Sequence, residues 1–191
     1  MRTQDEEKKQ ALFEATIKLV NEVGFASSSV SKIAKAANVS PSTLYIYHEN
    51  KEDLLVSTYI SIKKEFAEAI MGQFDESLPL RDTIRKFCLG MYRYMSKNPE
   101  KSMFVEQFSN TPYAELVNNA ELEDMYLPLK ETFQRGVEQK VLKDVSIELF
   151  AAFSFHPFAR LANPRHCCKT FVMTEEDIEM AFSMAWDAIR Y

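Results

Sequence analysis

Between Ser40 and Tyr47 the chain places five hydroxyl groups within eight residues, on Ser40, Ser42, Thr43, Tyr45 and Tyr47, and Lys51 follows shortly after. No acid, base or nucleophile stands at a spacing that would turn these hydroxyls to covalent chemistry. Small hydroxyls, methyl groups and aromatic hydroxyls on one short helix suit the base edges of a DNA major groove, and flanking groups that hold phosphates fix the register. Only a rigid local frame makes such a set useful, so the surrounding segments must supply one.

The frame is legible in the flanking residues. From Gln10 to Val23, the residues Leu12, Ala15, Leu19 and Val23 recur at helical spacing, and Gly24 follows where a left-handed residue would end the helix. Ser27, Ser28 and Ser29 offer N-caps for a second helix over 30–37, with Ile33, Ala34 and Ala37 facing inward. Asn38 suits a left-handed turn, and Ser40 before Pro41 starts a third helix with a capping hydroxyl and a proline at its first position. On that helix Leu44 turns toward Ile33 and Val39. Ser42, Thr43, Ile46 and Tyr47 are left outward, and Tyr45 can stack or reach a phosphate. Beyond Asn50 a longer helix to about Met71 carries Leu55, Tyr59, Ile62, Phe66 and Ile70 on one stripe.

The run of Gly24, Phe25, Ser28, Ser29, Val30, Ile33, Ala34, Ala37, Asn38, Val39, Ser40, Leu44, Tyr45, Tyr47, Lys51, Glu52 and Leu54 resembles the DNA-binding domain of tetracycline-repressor-type (TetR family) regulators. The resemblance covers about the first 55 residues, and the helical remainder matches in architecture. It implies that Ser29 caps the second helix and touches a phosphate, that Tyr47 and Lys51 clamp the backbone, and that Ser42, Thr43 and Tyr45 face the groove, with Ser40 beside them. Four positions depart from the usual pattern: Asn38 where a turn glycine is common, Pro41 and Ser42 in place of Lys and Gly, and His48 in place of an aromatic. His48 reads equally as a phosphate contact or a packed ring.

The rest of the chain reads as helices broken near Pro79, Pro99, Pro112, Gly136 and Pro164. Thr174 with Asp177 forms a capping-box pattern ahead of Ile178, Ala181, Phe182, Ala185, Trp186 and Ile189. The expected fold is all-α: a helix-turn-helix domain over 1–50, then a larger helical ligand-binding and dimerisation domain over 51–191. Phe and Met abound between Phe87 and Phe158, and such side chains line adaptable apolar cavities as well as cores. The resemblance implies an effector pocket there, with wall positions at Phe87, Met91, Tyr94, Phe104, Gln107, Phe108, Tyr126 and His156. It also implies a homodimer through the last helices, for which Ala151, Ala152, Phe155, Phe182, Ala185, Trp186 and Ile189 are suited. The function so implied is a repressor that leaves a partly palindromic operator when a small, largely apolar ligand binds. A protein that dimerises and binds DNA or a partner without an effector is the other class compatible with these residues.

Composition narrows the alternatives. The formal net charge of -5 argues against coating nucleic acid with bulk positive charge. The acid is concentrated late: residues 1–51 hold 7 Lys+Arg and 6 Asp+Glu, leaving 16 and 22 for the remainder of the 23 and 28. No stretch approaches the roughly 18 apolar residues of a membrane span, and Met1 to Gln10 is too polar for a signal peptide, so a cytoplasmic protein with no membrane partner is expected. Cys88, Cys167 and Cys168 are too few for a disulfide framework. His166-Cys167-Cys168 lacks the two-residue gap of structural zinc sites, so neither metal nor cofactor is expected. With no phosphate loop, nucleophile elbow or paired-carboxylate spacing, an enzyme is not indicated.

Overall fold

The computed structural model describes residues 2–72, 74–75, 77–118, 120–163 and 173–191. Its helices are α1 (Arg2–Ser27), α2 (Val30–Ala36), α3 (Pro41–Tyr47), α4 (Lys51–Met71), α5 (Leu80–Lys97), α6 (Pro99–Phe108), α7 (Ala120–Met125), α8 (Leu127–Glu138), α9 (Ile147–Ser154), α10 (His156–Ala162) and α11 (Glu175–Ile189), with a 3-10 turn at Pro112–Leu116. The fold is all-α; among the described residues β pairing is confined to an isolated antiparallel bridge between Leu142 and Arg190. The chain divides into two compact units, Met1–Lys63 with Glu100–Asn118, and Lys64–Pro99 with Asn119–Tyr191.

The first unit is built on two clusters. Leu12, Ala15, Ile33, Ala37, Leu44 and Leu54 close one, which seats α2 and α3 on α1 and the head of α4. Ile17, Val20, Leu55, Ile62, Phe104 and Phe108 close the other. Rings reinforce the second cluster: Tyr59 stacks on Phe108 at 4.4 Å between centroids, and Phe25 meets Phe104 at 5.4 Å. One expected core residue of α1 is displaced. Val23 stands 44% exposed, because Ile17 and Val20, on a neighbouring face, take the contacts with α4 and α6.

Backbone geometry follows the punctuation. Gly24 has φ 79 and ψ 167, a conformation open in practice to glycine alone, and the helical run of α1 is kinked there. Asn38 has φ 55, which lets Val39 N–H reach back to Ala34 C=O at 3.0 Å and close the turn between α2 and α3.

The second unit packs Phe87, Phe133, Phe150, Phe155, Phe158 and Phe182 into one core with Ile84, Ile178 and Ile189. The α9–α10 break falls at Phe155, where Pro157, lacking an N–H, cannot continue the ladder of α9. The capping box opening α11 is present: Asp177 N–H donates to Thr174 Oγ1 at 3.1 Å and Thr174 N–H donates to Asp177 Oδ2 at 2.9 Å. Arg85 of α5 grips Glu179 of α11 through two nitrogens, and Arg93 reaches Glu175 at 3.2 Å. Arg81 lies over the Phe182 ring at 5.1 Å. At the chain end, Lys143 N–H donates to Ile189 C=O and Tyr191 N–H to Val141 C=O, each at 2.9 Å.

Candidate nucleic-acid interface

The surface around α3 is built from its caps outward. Ser40 Oγ accepts from Thr43 N–H at 3.1 Å, and the same oxygen lies 2.7 Å from Ser42 Oγ and 2.8 Å from Thr43 Oγ1. Three of the candidate contact residues are thereby linked in one hydroxyl cluster at the helix start. Ser29 caps α2 in the same way, accepting from Lys32 N–H at 3.3 Å. Removing a capping oxygen typically costs about 1 kcal/mol. Ser40→Ala is therefore expected to lower the unfolding free energy by about 1 kcal/mol while Ser42→Ala leaves it within about 0.5 kcal/mol, as read by urea titration; equal effects would mean that Ser40 is no cap.

Leu44 is fully buried and anchors the helix, whereas Tyr45 and Ile46 stand out, 56% and 74% exposed. So large an apolar group as Ile46, held in water on a short helix fixed at its other face, offers methyl contacts to a ligand that covers it. The sequence had left Ile46 outward; its degree of exposure marks it more clearly than its residue type did. Ser29, Ser40 and Ser42 are exposed, and Thr43, Tyr47 and Lys51 are partly buried.

The two candidate clamps are each engaged inside the unit. Lys51 Nζ donates to Phe25 C=O at 2.6 Å, tying the head of α4 to the chain just beyond the Gly24 kink. Tyr47 Oη donates to Asp5 Oδ1 in the first turns of α1, a contact across 42 residues that no local pattern announces. That hydrogen bond, ahead of burial and the charges of Asp5 and Glu6, holds the Tyr47 hydroxyl above its usual ionisation range. His48 proves to be a packed ring: its side chain is largely buried, and Nδ1 lies 3.3 Å from both Asp53 Oδ2 and Ser57 Oγ on α4. Both partners share one ring nitrogen, so the trio orients the imidazole.

The eight candidate pocket positions are divided between the two units. Phe104, Gln107 and Phe108 belong to α6 in the first unit, where the two rings are fully buried in the core and Gln107 Nε2 donates to Asn21 Oδ1 at 3.0 Å. Phe87, Met91, Tyr94 and Tyr126 lie in or against the core of the second unit. His156 is exposed at the head of α10. The Tyr94 ring meets Phe66 edge-on at 5.4 Å, and burial, with Glu65 beside it, pushes its hydroxyl up to about 12.

The candidate dimer residues split by face. Phe155, Phe182, Ala185 and Ile189 are buried in their own chain's core, and Ala151 and Trp186 pack against its edge. They pack within the chain, on the stripe at core spacing. Only Ala152 of the seven is exposed. On the same two helices Leu149, Phe153, Met180 and Met184 point to solvent instead, Phe153 at 54% and Met184 at 68%. These four large apolar residues turned outward on α9 and α11 are other than those the sequence singled out.

Among the described residues no helix is long and apolar enough to cross a membrane, and no three His, Cys, Asp or Glu side chains converge as metal ligands. His166, Cys167 and Cys168 lie outside the described residues.

Comparison with known proteins adds to this geometry. Residues 79–190 match the family described as "Tetracyclin repressor-like, C-terminal domain", and residues 12–58 match "Bacterial regulatory proteins, tetR family". A crystal structure of a TetR family transcription regulator from Marinobacter aquaeolei superposes with a TM-score of 0.89 at 35% identity, covering 100% of this chain and 99% of that one. An uncharacterized HTH-type transcriptional regulator of Haemophilus influenzae is 28% identical over 103 residues, 54% of this chain and 55% of that protein. The fatty acid metabolism regulator protein of Bacillus subtilis is 33% identical over 73 residues, 38% of each chain. The chain thus spans about half or less of the length of the curated relatives it matches.

Proposed function

Since the chain belongs to the TetR family of DNA-binding transcriptional regulators, we propose that it acts as a homodimeric repressor, holding a partly palindromic operator through α3 and releasing it when a small, largely apolar effector enters the second unit. The observation that carries the DNA reading is the arrangement of α3, with Leu44 buried, both ends fixed, and Tyr45 and Ile46 turned out beside a hydroxyl cluster. Ser42, Thr43, Tyr45 and Ile46 meet base edges. Ser29, Ser40, Tyr47 and Lys51 meet phosphates, the latter two by exchanging their present partners for phosphate oxygens.

One recognition helix of seven residues reads few base pairs, so a two-fold pair on successive grooves is the economical arrangement. Leu149, Ala152, Phe153, Met180 and Met184 are the outward residues suited to form it, since α9 packs against α11 and presents them on neighbouring helices. The effector reading draws support from the interior of the second unit, where Phe87, Met91, Tyr94 and Tyr126 supply adaptable apolar surface with phenolic hydroxyls to orient a ligand. Because α4 is one continuous helix with residues in both units, rearrangement of its end in the second reaches Lys51 along an unbroken backbone.

Fluorescence anisotropy with the DNA immediately upstream of the coding sequence, over a salt series, tests this. The wild type is expected to bind that duplex ahead of an unrelated one. Lys51→Ala is expected to reduce the salt slope by about two, one phosphate contact per protomer. Salt-insensitive binding, or none to any upstream duplex, would overturn the reading.

A further inference from the structure

The N-terminal turns of α1 lie against the end of α3. Asp5 accepts the Tyr47 hydroxyl hydrogen. Lys9, 3.9 Å from Asp5 and 3.7 Å from Glu6, sits over the Tyr47 ring at 5.5 Å from its centroid. A phenol has one hydrogen to donate. While Asp5 takes it, Tyr47 offers only lone pairs to an incoming phosphate oxygen, and the carboxylate adds a like charge at the point of approach. The Asp5 side chain is 53% exposed, so water would satisfy either group if the two parted. Nothing in the packing of the unit therefore requires the contact.

We infer that Asp5 is a latch on the DNA-facing surface: its carboxylate competes with a backbone phosphate for the Tyr47 hydroxyl and sets DNA affinity below what α3 and its clamps alone would give. This rests on the reading of Tyr47 as a phosphate clamp. Rotation of the Asp5 side chain opens the latch and frees Lys9 from one of its two carboxylates, so that an ammonium as well as a hydroxyl becomes available beside the phosphate. The upward displacement of the Tyr47 ionisation agrees with a proton held toward Asp5.

The test is a double-mutant cycle in the full chain: wild type, Asp5→Ala, Tyr47→Phe and the double variant, binding a duplex enriched by the wild type from a random-sequence library. Asp5→Ala is expected to tighten binding about threefold to tenfold when Tyr47 is present and less than about twofold when Phe replaces it. An equal gain in both backgrounds would reduce Asp5 to a distant negative charge and overturn the latch, as would no gain. A parallel tyrosine titration by NMR needs no DNA: the Tyr47 midpoint is expected to fall in Asp5→Ala, and an unmoved midpoint removes the contact from solution and the latch with it. If the wild type enriches and binds no duplex, the clamp reading itself falls, whatever the titration shows, and the latch falls with it.

Discussion

Replacing Phe153 and Met184 together by Asp is expected to leave a folded monomer that binds operator about a hundredfold to ten-thousandfold more weakly than the wild type, since the second recognition helix no longer arrives at the effective concentration the first provides. Both side chains are more than half exposed, so the substitutions bury no charge within the chain and circular dichroism should be unchanged. In a two-fold interface each new carboxylate appears twice, and the added like charges oppose association. Analytical ultracentrifugation across a concentration series reads the outcome. A dimer that persists in the double variant would mean that α9 and α11 do not form the contact.

Leu44→Ala is expected to destabilise the first unit by about 2–5 kcal/mol, a large share of the roughly 5–15 kcal/mol that holds a domain together. The residue is fully buried among Leu12, Ile33 and Leu54. Helices as short as the seven residues of α3 do not persist alone, since nucleation makes isolated helices marginal below about 12–15 residues. Packing through Leu44 therefore holds the hydroxyl-bearing face in shape. Ile46→Ala, two positions away, is the matched control: 74% exposed, it should change the unfolding free energy by less than about 0.5 kcal/mol while weakening operator binding. Chemical denaturation beside a DNA titration separates the pair, and a Leu44→Ala loss below about 1 kcal/mol would show that α3 is held from elsewhere.

What the sequence made legible was whatever is decided within a few residues. The Gly24 kink, the left-handed Asn38, the Ser29 and Ser40 caps and the Thr174–Asp177 box are set by backbone groups one turn apart, and residue type announces them. What stayed hidden was decided by distant chain. The choice of outward face on α9 could not be read because Leu149, Phe150, Ala151, Ala152 and Phe153 make the helix apolar all round, and only the position of the core shows that Phe150 faces in and Phe153 out. His48, open between two roles, was settled by Asp53 and Ser57 on the following helix. The Tyr47–Asp5 contact joins residues 42 apart and has no signature in either segment.

The membership of residues 100–118 in the first unit has a bearing on modularity. Phe104 and Phe108 complete the aromatic cluster that Phe25 and Tyr59 begin, so the DNA-facing unit is discontinuous along the chain. Recombination between relatives, in nature or by design, that exchanged everything beyond one crossover in α4 would replace those rings along with the second unit. Transplanting specificity from one regulator to another then calls for three joins, one in α4 near Lys63 and two bracketing 100–118. Inherited variety in the second unit must be accommodated around a patch of sequence that answers to the first.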